Sequence, residues 1–150
     1  MSRRPRRLIA IVAGVIAFLA ISVGLARWLN TETNERDAVY GLLKAQARGD
    51  APAMLRDLSG CGSRPACRAL AFANARTLRR AGTVKIIAYD SKTSYALGSA
   101  RGRTRVAWTV PQHGLPVVQC VLVKRTGNAL FGRAVSLLEL SRPIDRQGTC

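Results

Sequence analysis

From Leu8 to Ala26 the chain reads LIAIVAGVIAFLAISVGLA, nineteen residues with no charge and no polar face. As a helix at about 1.5 Å per residue this run would be roughly 28 Å long, close to the ~30 Å hydrocarbon core of a bilayer. MSRRPRR precedes it with four arginines and no acid, and Arg27 and Trp28 follow, a cation and an amphipathic ring suited to headgroups. The pattern predicts a transmembrane signal anchor over 8–29, with a basic tail of residues 1–7 in the cytoplasm and residues 30–150 outside. A cleavable leader is the competing reading, because AIS at 20–22 and GLA at 24–26 are usable small-x-small sites. Cleavage there would make the protein secreted. Both readings export the rest of the chain.

Beyond the apolar run, NTETNERDAVYGLLKAQAR (30–48) opens on capping residues and acids and then sets Val39, Leu42 and Leu43 on one face, which predicts a helix. Gly49 should stop it. Asp50 can cap a second helix, with Pro52 in its first turn and Met54, Leu55 and Leu58 on its buried face. Ser63 and Pro65 open a third through ACRALAFANARTLRRA, with Gly82 expected as its C-cap. After Gly82 the period changes to two. TVKIIAYD (83–90), SYALGSA (94–100), TRVAWTV (104–110), VVQCVLVKR (117–125) and RAVSLLELS (133–141) read as antiparallel strands, with RGR at 101–103 as a tight connection. The expected fold is α+β: an N-terminal transmembrane helix, then three helices packed on one face of a curved antiparallel sheet of about five strands.

The net charge is +16, and arginine far outnumbers lysine in an alanine-rich chain, a composition that fits a GC-rich bacterial gene. Of the 24 Lys and Arg, five precede Trp28, so the exported part carries 19 against eight acids. A surface that basic favours anionic partners such as lipid headgroups, wall polymers or acidic proteins. Nucleic acid is set aside, because export and the lack of aromatics interleaved with the charge both argue against it.

Cys61, Cys67, Cys120 and Cys150 all fall in the exported part. An oxidising compartment keeps disulfides, and an even count there reads as two bridges. Zinc would ask for closer pairs or histidines, yet His113 is the chain's one histidine and sits in a PQHGLP loop. No metal and no cofactor is expected. Cys61–Cys67 with Cys120–Cys150 is the expected connectivity, worth about 2.4 and about 3.7 kcal/mol in the chain-entropy model.

The stretch VYGLLKAQARGDAPAMLRDL (39–58), a long helix ending in Gly-Asp before a short apolar one, resembles the nuclear-transport-factor-two-like superfamily. VVQCVLVKRTGNALFGRAVSLLELS is similar to that family's last hairpin. The resemblance implies a cone-like fold shared with ketosteroid isomerases and polyketide cyclases. It also implies a single-pass bacterial envelope layout with the cone outside. The isomerase residues do not transfer: Leu42 falls where the helix tyrosine belongs, Tyr40 is off register, and the base would fall near Ala66.

Two sets of residues are candidates for contact. Arg79, Arg80, Arg101, Arg103 and Arg105 could meet an anionic surface, the last three grouped around a predicted hairpin tip. Tyr40, Tyr89, Tyr95 and Trp108 could line a cone cavity. The expected function is a membrane-anchored, extracytoplasmic, non-catalytic accessory that binds an envelope protein or an apolar ligand. The alternatives are an exported isomerase or cyclase, and a basic module docking on anionic lipid or wall polymer.

Overall fold

Between Trp28 and Tyr40 there is no proline and no glycine, so nothing in the backbone breaks a helix there. The computed structural model, which describes residues 3–93, 98–111, 113–128 and 132–150, accordingly runs one uninterrupted helix, α1 (Arg3–Arg48). The expected anchor and first domain helix are a single element. Gly49, at φ 77°, ends it in a left-handed conformation that glycine adopts without steric cost. Asp50 then caps α2 (Ala51–Asp57), its Oδ1 accepting from the Ala53 N–H at 3.0 Å.

The expected transmembrane helix is corrected. No helix among the described residues is long and apolar enough to cross a membrane. Every described large apolar side chain from Ile9 to Leu25 is nonetheless more than half exposed.

α3 (Pro65–Thr77) begins with proline in its first turn and stops five residues before Gly82, not at it. Leu78 turns into the core, and the Arg80 N–H donates to the Ala47 carbonyl at 2.8 Å, which draws the chain back onto the end of α1. Gly82 serves a different need: a Cβ there would come within 2.8 Å of the Val110 side chain.

Among the described residues four strands follow, β1 (Lys85–Ser91), β2 (Gly98–Thr109), β3 (Val117–Asn128) and β4 (Gly132–Leu140), paired antiparallel in the order β1-β2-β3-β4. The expectation of about five strands is corrected at RGR, where β2 runs straight through Arg101, Gly102 and Arg103 with unbroken pairing to β3. Gly102 marks a close approach, because a Cβ on it would collide with the Thr93 backbone. Residues 94–97 of the expected second strand lie outside the described residues.

The helices cover one face of the sheet. Val39, Leu42, Leu43, Met54 and Leu58 pack with Val106, Trp108, Val121, Val123, Leu137 and Leu140 in one apolar cluster. Each large side chain sealed there contributes about 1.5–3 kcal/mol relative to exposure. The Ser59 N–H donates to the Leu137 carbonyl at 2.7 Å and stitches the end of α2 to β4. The disulfides join Cys61 to Cys67 and Cys120 to Cys150, the expected pairing. The second holds the tail across β3, where Ile144 bridges Val118.

Candidate functional site

One stripe of α1 carries Glu35, Val39, Leu42 and Gln46, spaced four, three and four apart, so all four point the same way. They point at the sheet. Alternate residues of the strands face them: Tyr89 and Ser91 from β1, Thr104, Val106 and Trp108 from β2, and Gln119, Val121, Val123 and Arg125 from β3. The middle of this interface is apolar, and each end is polar.

At one end the Glu35 carboxylate accepts on Oε1 from Tyr89 Oη at 2.7 Å, Thr104 Oγ1 at 2.7 Å and Ser91 Oγ at 3.0 Å. Its Oε2 accepts from Arg125 Nε at 2.7 Å, and the pair is sealed at 0% and 3% side-chain exposure. Burial pushes the Glu35 carboxyl up, but hydrogen bonds from Tyr89, Thr104 and Arg125, with the Arg125 charge, outweigh it and hold the group below its usual value. Burial and then the neighbouring carboxylate push the Tyr89 phenol upward, so Tyr89 remains a donor.

At the other end Gln119 is the hub. Its Oε1 accepts from Gln46 Nε2 at 2.9 Å and from the Trp108 indole N–H at 2.8 Å, while its Nε2 donates to the Ser141 carbonyl at 2.9 Å. Among the described residues no buried side-chain nitrogen or oxygen lacks a partner. A general base needs a pKa near the working pH and access to the proton it takes. Glu35 has neither. Its lone pairs are committed and its carboxyl is held below the ordinary range, so the cluster fastens α1 to the sheet. Among the described residues no three His, Cys, Asp or Glu side chains come together as a metal site.

The sequence candidates are placed as follows. Trp108 is fully buried, with the Arg80 guanidinium 5.6 Å from its ring centroid. Tyr89 is spent on Glu35, Tyr40 packs half-buried against the core, and Tyr95 lies outside the described residues. The five arginines do not form one surface. Arg79 lies over Gly49, and Arg80 donates to the Leu115 carbonyl at 3.1 Å, both at the far end of α1. Arg105 donates from Nε to the Gly148 carbonyl at 3.0 Å and from Nη2 to the Arg146 carbonyl, so it belongs to the tail. Arg101 and Arg103 alone stay exposed together, on the sheet face away from α1. His113 is exposed in its loop.

Sequence reasoning missed Glu35 and Arg125. A signal existed: each is an ionisable residue on an otherwise apolar stripe, Glu35 at helical spacing with Val39 and Leu42, Arg125 at strand spacing with Val121 and Val123. No protein-family model, curated protein or solved structure matches this chain.

Proposed function

We propose that the protein is a non-catalytic accessory of the bacterial envelope, held at a lipid bilayer by the apolar stretch of α1 and displaying its disulfide-braced domain outside the reducing cytoplasm. The observation that carries this reading is the contrast within α1. Its described large apolar residues from Ile9 to Leu25 stand in the open, whereas Glu35, nine residues past Ala26, is sealed and saturated. Apolar surface exposed on every side of a helix is strongly favoured in lipid over water, at about 25 cal/mol per Å². A carboxylate locked by Arg125 and three hydroxyls offers no free acid or base. The sheet face that packs on the helices is filled by α1 itself, which leaves the outer surfaces for recognition and favours another envelope protein as partner over a small apolar ligand. The order of a long helix, Gly49-Asp50, two shorter helices and an antiparallel sheet is the order expected from the likeness to the nuclear-transport-factor-two-like superfamily.

Flotation of the full chain with phosphatidylcholine vesicles tests the lipid contact. The chain should float in high salt and be released only by detergent. Recovery in the aqueous fraction would reject the reading. Thiol labelling of intact cells tests the compartment: the four cysteines should resist a thiol reagent until reductant is added, and free labelling would reject export.

A further inference from the structure

α1 is tied to the sheet at two heights, and these ties act as a ruler. Glu35 meets Thr104 and Arg125, each at 2.7 Å, and Gln46 meets Gln119 at 2.9 Å. The eleven-residue step from Glu35 to Gln46 is about 16 Å of helix, and the six-residue step from Arg125 to Gln119 is about 20 Å of strand. β2 and β3 therefore run alongside α1, with the low-numbered end of β2 toward the apolar stretch.

Ala26, the last residue of that stretch, lies about 14 Å along the helix from Glu35. On β2, Thr104 marks the height of Glu35, and Arg101 is three residues, about 10 Å, closer to the apolar stretch. Arg101 thus sits within about 4 Å of the level of Ala26, an offset smaller than the roughly 5–8 Å depth of a bilayer's headgroup layer. Lys124 is its direct cross-strand partner, and Arg103 is two residues along on the same outer face. Cations directly opposite one another on adjacent strands repel. Among the described residues, Arg101, Arg103 and Lys124 show no ion pair or side-chain hydrogen bond that would relieve it. Glu139 lines the shallow groove beside Arg103 but leaves the patch net positive. By the same ruler, Arg80, whose N–H meets the Ala47 carbonyl, stands about 31 Å beyond Ala26.

Resting on the lipid seat proposed above, we infer that Arg101, Arg103 and Lys124 contact the phosphate-bearing headgroups of anionic phospholipids in the bilayer that the apolar stretch of α1 meets. Height selects this occupant over a protein, and unneutralised charge selects an anionic headgroup over a zwitterionic one. The patch would set the tilt of the domain on the surface as well as its distance.

The full chain, reconstituted into vesicles of phosphatidylcholine alone or mixed with phosphatidylglycerol, tests this by phenylglyoxal modification of arginines read by peptide mass spectrometry. Phosphatidylglycerol should slow modification of Arg101 and Arg103 by at least about fivefold, the population ratio that roughly 1 kcal/mol per surface cation implies. Arg76 and Arg79 at the far end should react alike in both vesicles, and high salt should erase the difference. Equal rates for Arg101 and Arg103 in both vesicles overturn the headgroup contact while leaving the lipid seat standing. Equal slowing of all four arginines signals non-specific adsorption and also overturns it, as does the same protection from inorganic phosphate in neutral vesicles. A chain that fails to associate with phosphatidylcholine vesicles overturns both readings.

Discussion

Replacing Glu35 by glutamine tests the assignment of the buried cluster to fastening. The substitution keeps the shape and leaves an oxygen for Tyr89 and Thr104, but sets an amide N–H₂ or a neutral oxygen against Arg125 in place of a carboxylate. Arg125 is 3% exposed, so its charge has little access to water once its counter-charge is gone. Breaking one side of a buried pair costs about 3–5 kcal/mol, a large share of the roughly 5–15 kcal/mol that holds a domain together. For a domain of this size that is a fall in Tm of roughly 10–20 °C. Glu35→Gln with Arg125→Met removes both charges and should recover at least about 1 kcal/mol of the summed single losses, the coupling expected of residues in direct contact. Urea unfolding by circular dichroism at neutral pH, with the disulfides oxidised, measures each corner of the cycle.

The pH dependence supplies an independent sign. Glu35 titrates below its unfolded value, so its stabilisation is present above the ordinary carboxylate pKa of about 4.3 and is lost as pH falls through the folded value. The gap between the wild type and Glu35→Gln should therefore be constant near neutrality and close as the solution is acidified below about pH 4.3. A loss under about 1 kcal/mol at neutral pH, or a gap that acid does not narrow, would refute the reasoning.

Gly102→Ala should cost about 1–3 kcal/mol, because its Cβ drives into the Thr93 backbone; an unchanged urea midpoint would return Gly102 to the role of a turn residue. Gln119→Leu strands the Trp108 indole N–H and the Gln46 amide and should cost about 2–4 kcal/mol by the same assay, with a loss below that of an ordinary core substitution counting against the hub. Removing the Cys120–Cys150 bridge, which closes a separation of 30, should destabilise more than removing Cys61–Cys67, which closes 6, by roughly 1 kcal/mol in the chain-entropy model. Equal or inverted losses would contradict that account.

Much of the secondary structure was readable because its signals are local. Asp50 caps α2 through a residue three positions away, Gly49 ends α1 by its own φ, and Pro65 opens α3. The cysteine pairing was readable for the same reason at longer range, since short loops close more readily than long ones. The misreadings came where one residue type serves two physical needs. Gly102 reads as a turn from its neighbours and is a strand residue because Thr93 presses on it. Gly82 reads as a helix cap and instead makes room for Val110. The polar run after Trp28 reads as a new helix start, yet nothing in it breaks the helix already under way.

By itself the sequence determined an apolar run ahead of a basic, disulfide-bonded α+β domain with helices first and antiparallel strands after. Those features depend on hydrophobic period and on residues close enough in the chain to constrain each other's backbone. Only the tertiary structure decided that Glu35 and Arg125, ninety residues apart, neutralise one another, and that Arg79, Arg80 and Arg105 are drawn away from Arg101 and Arg103. The physical reason is that the free energy of a charge is set by what faces it and by how much water reaches it. Both are properties of packing, and no stretch of chain carries them alone.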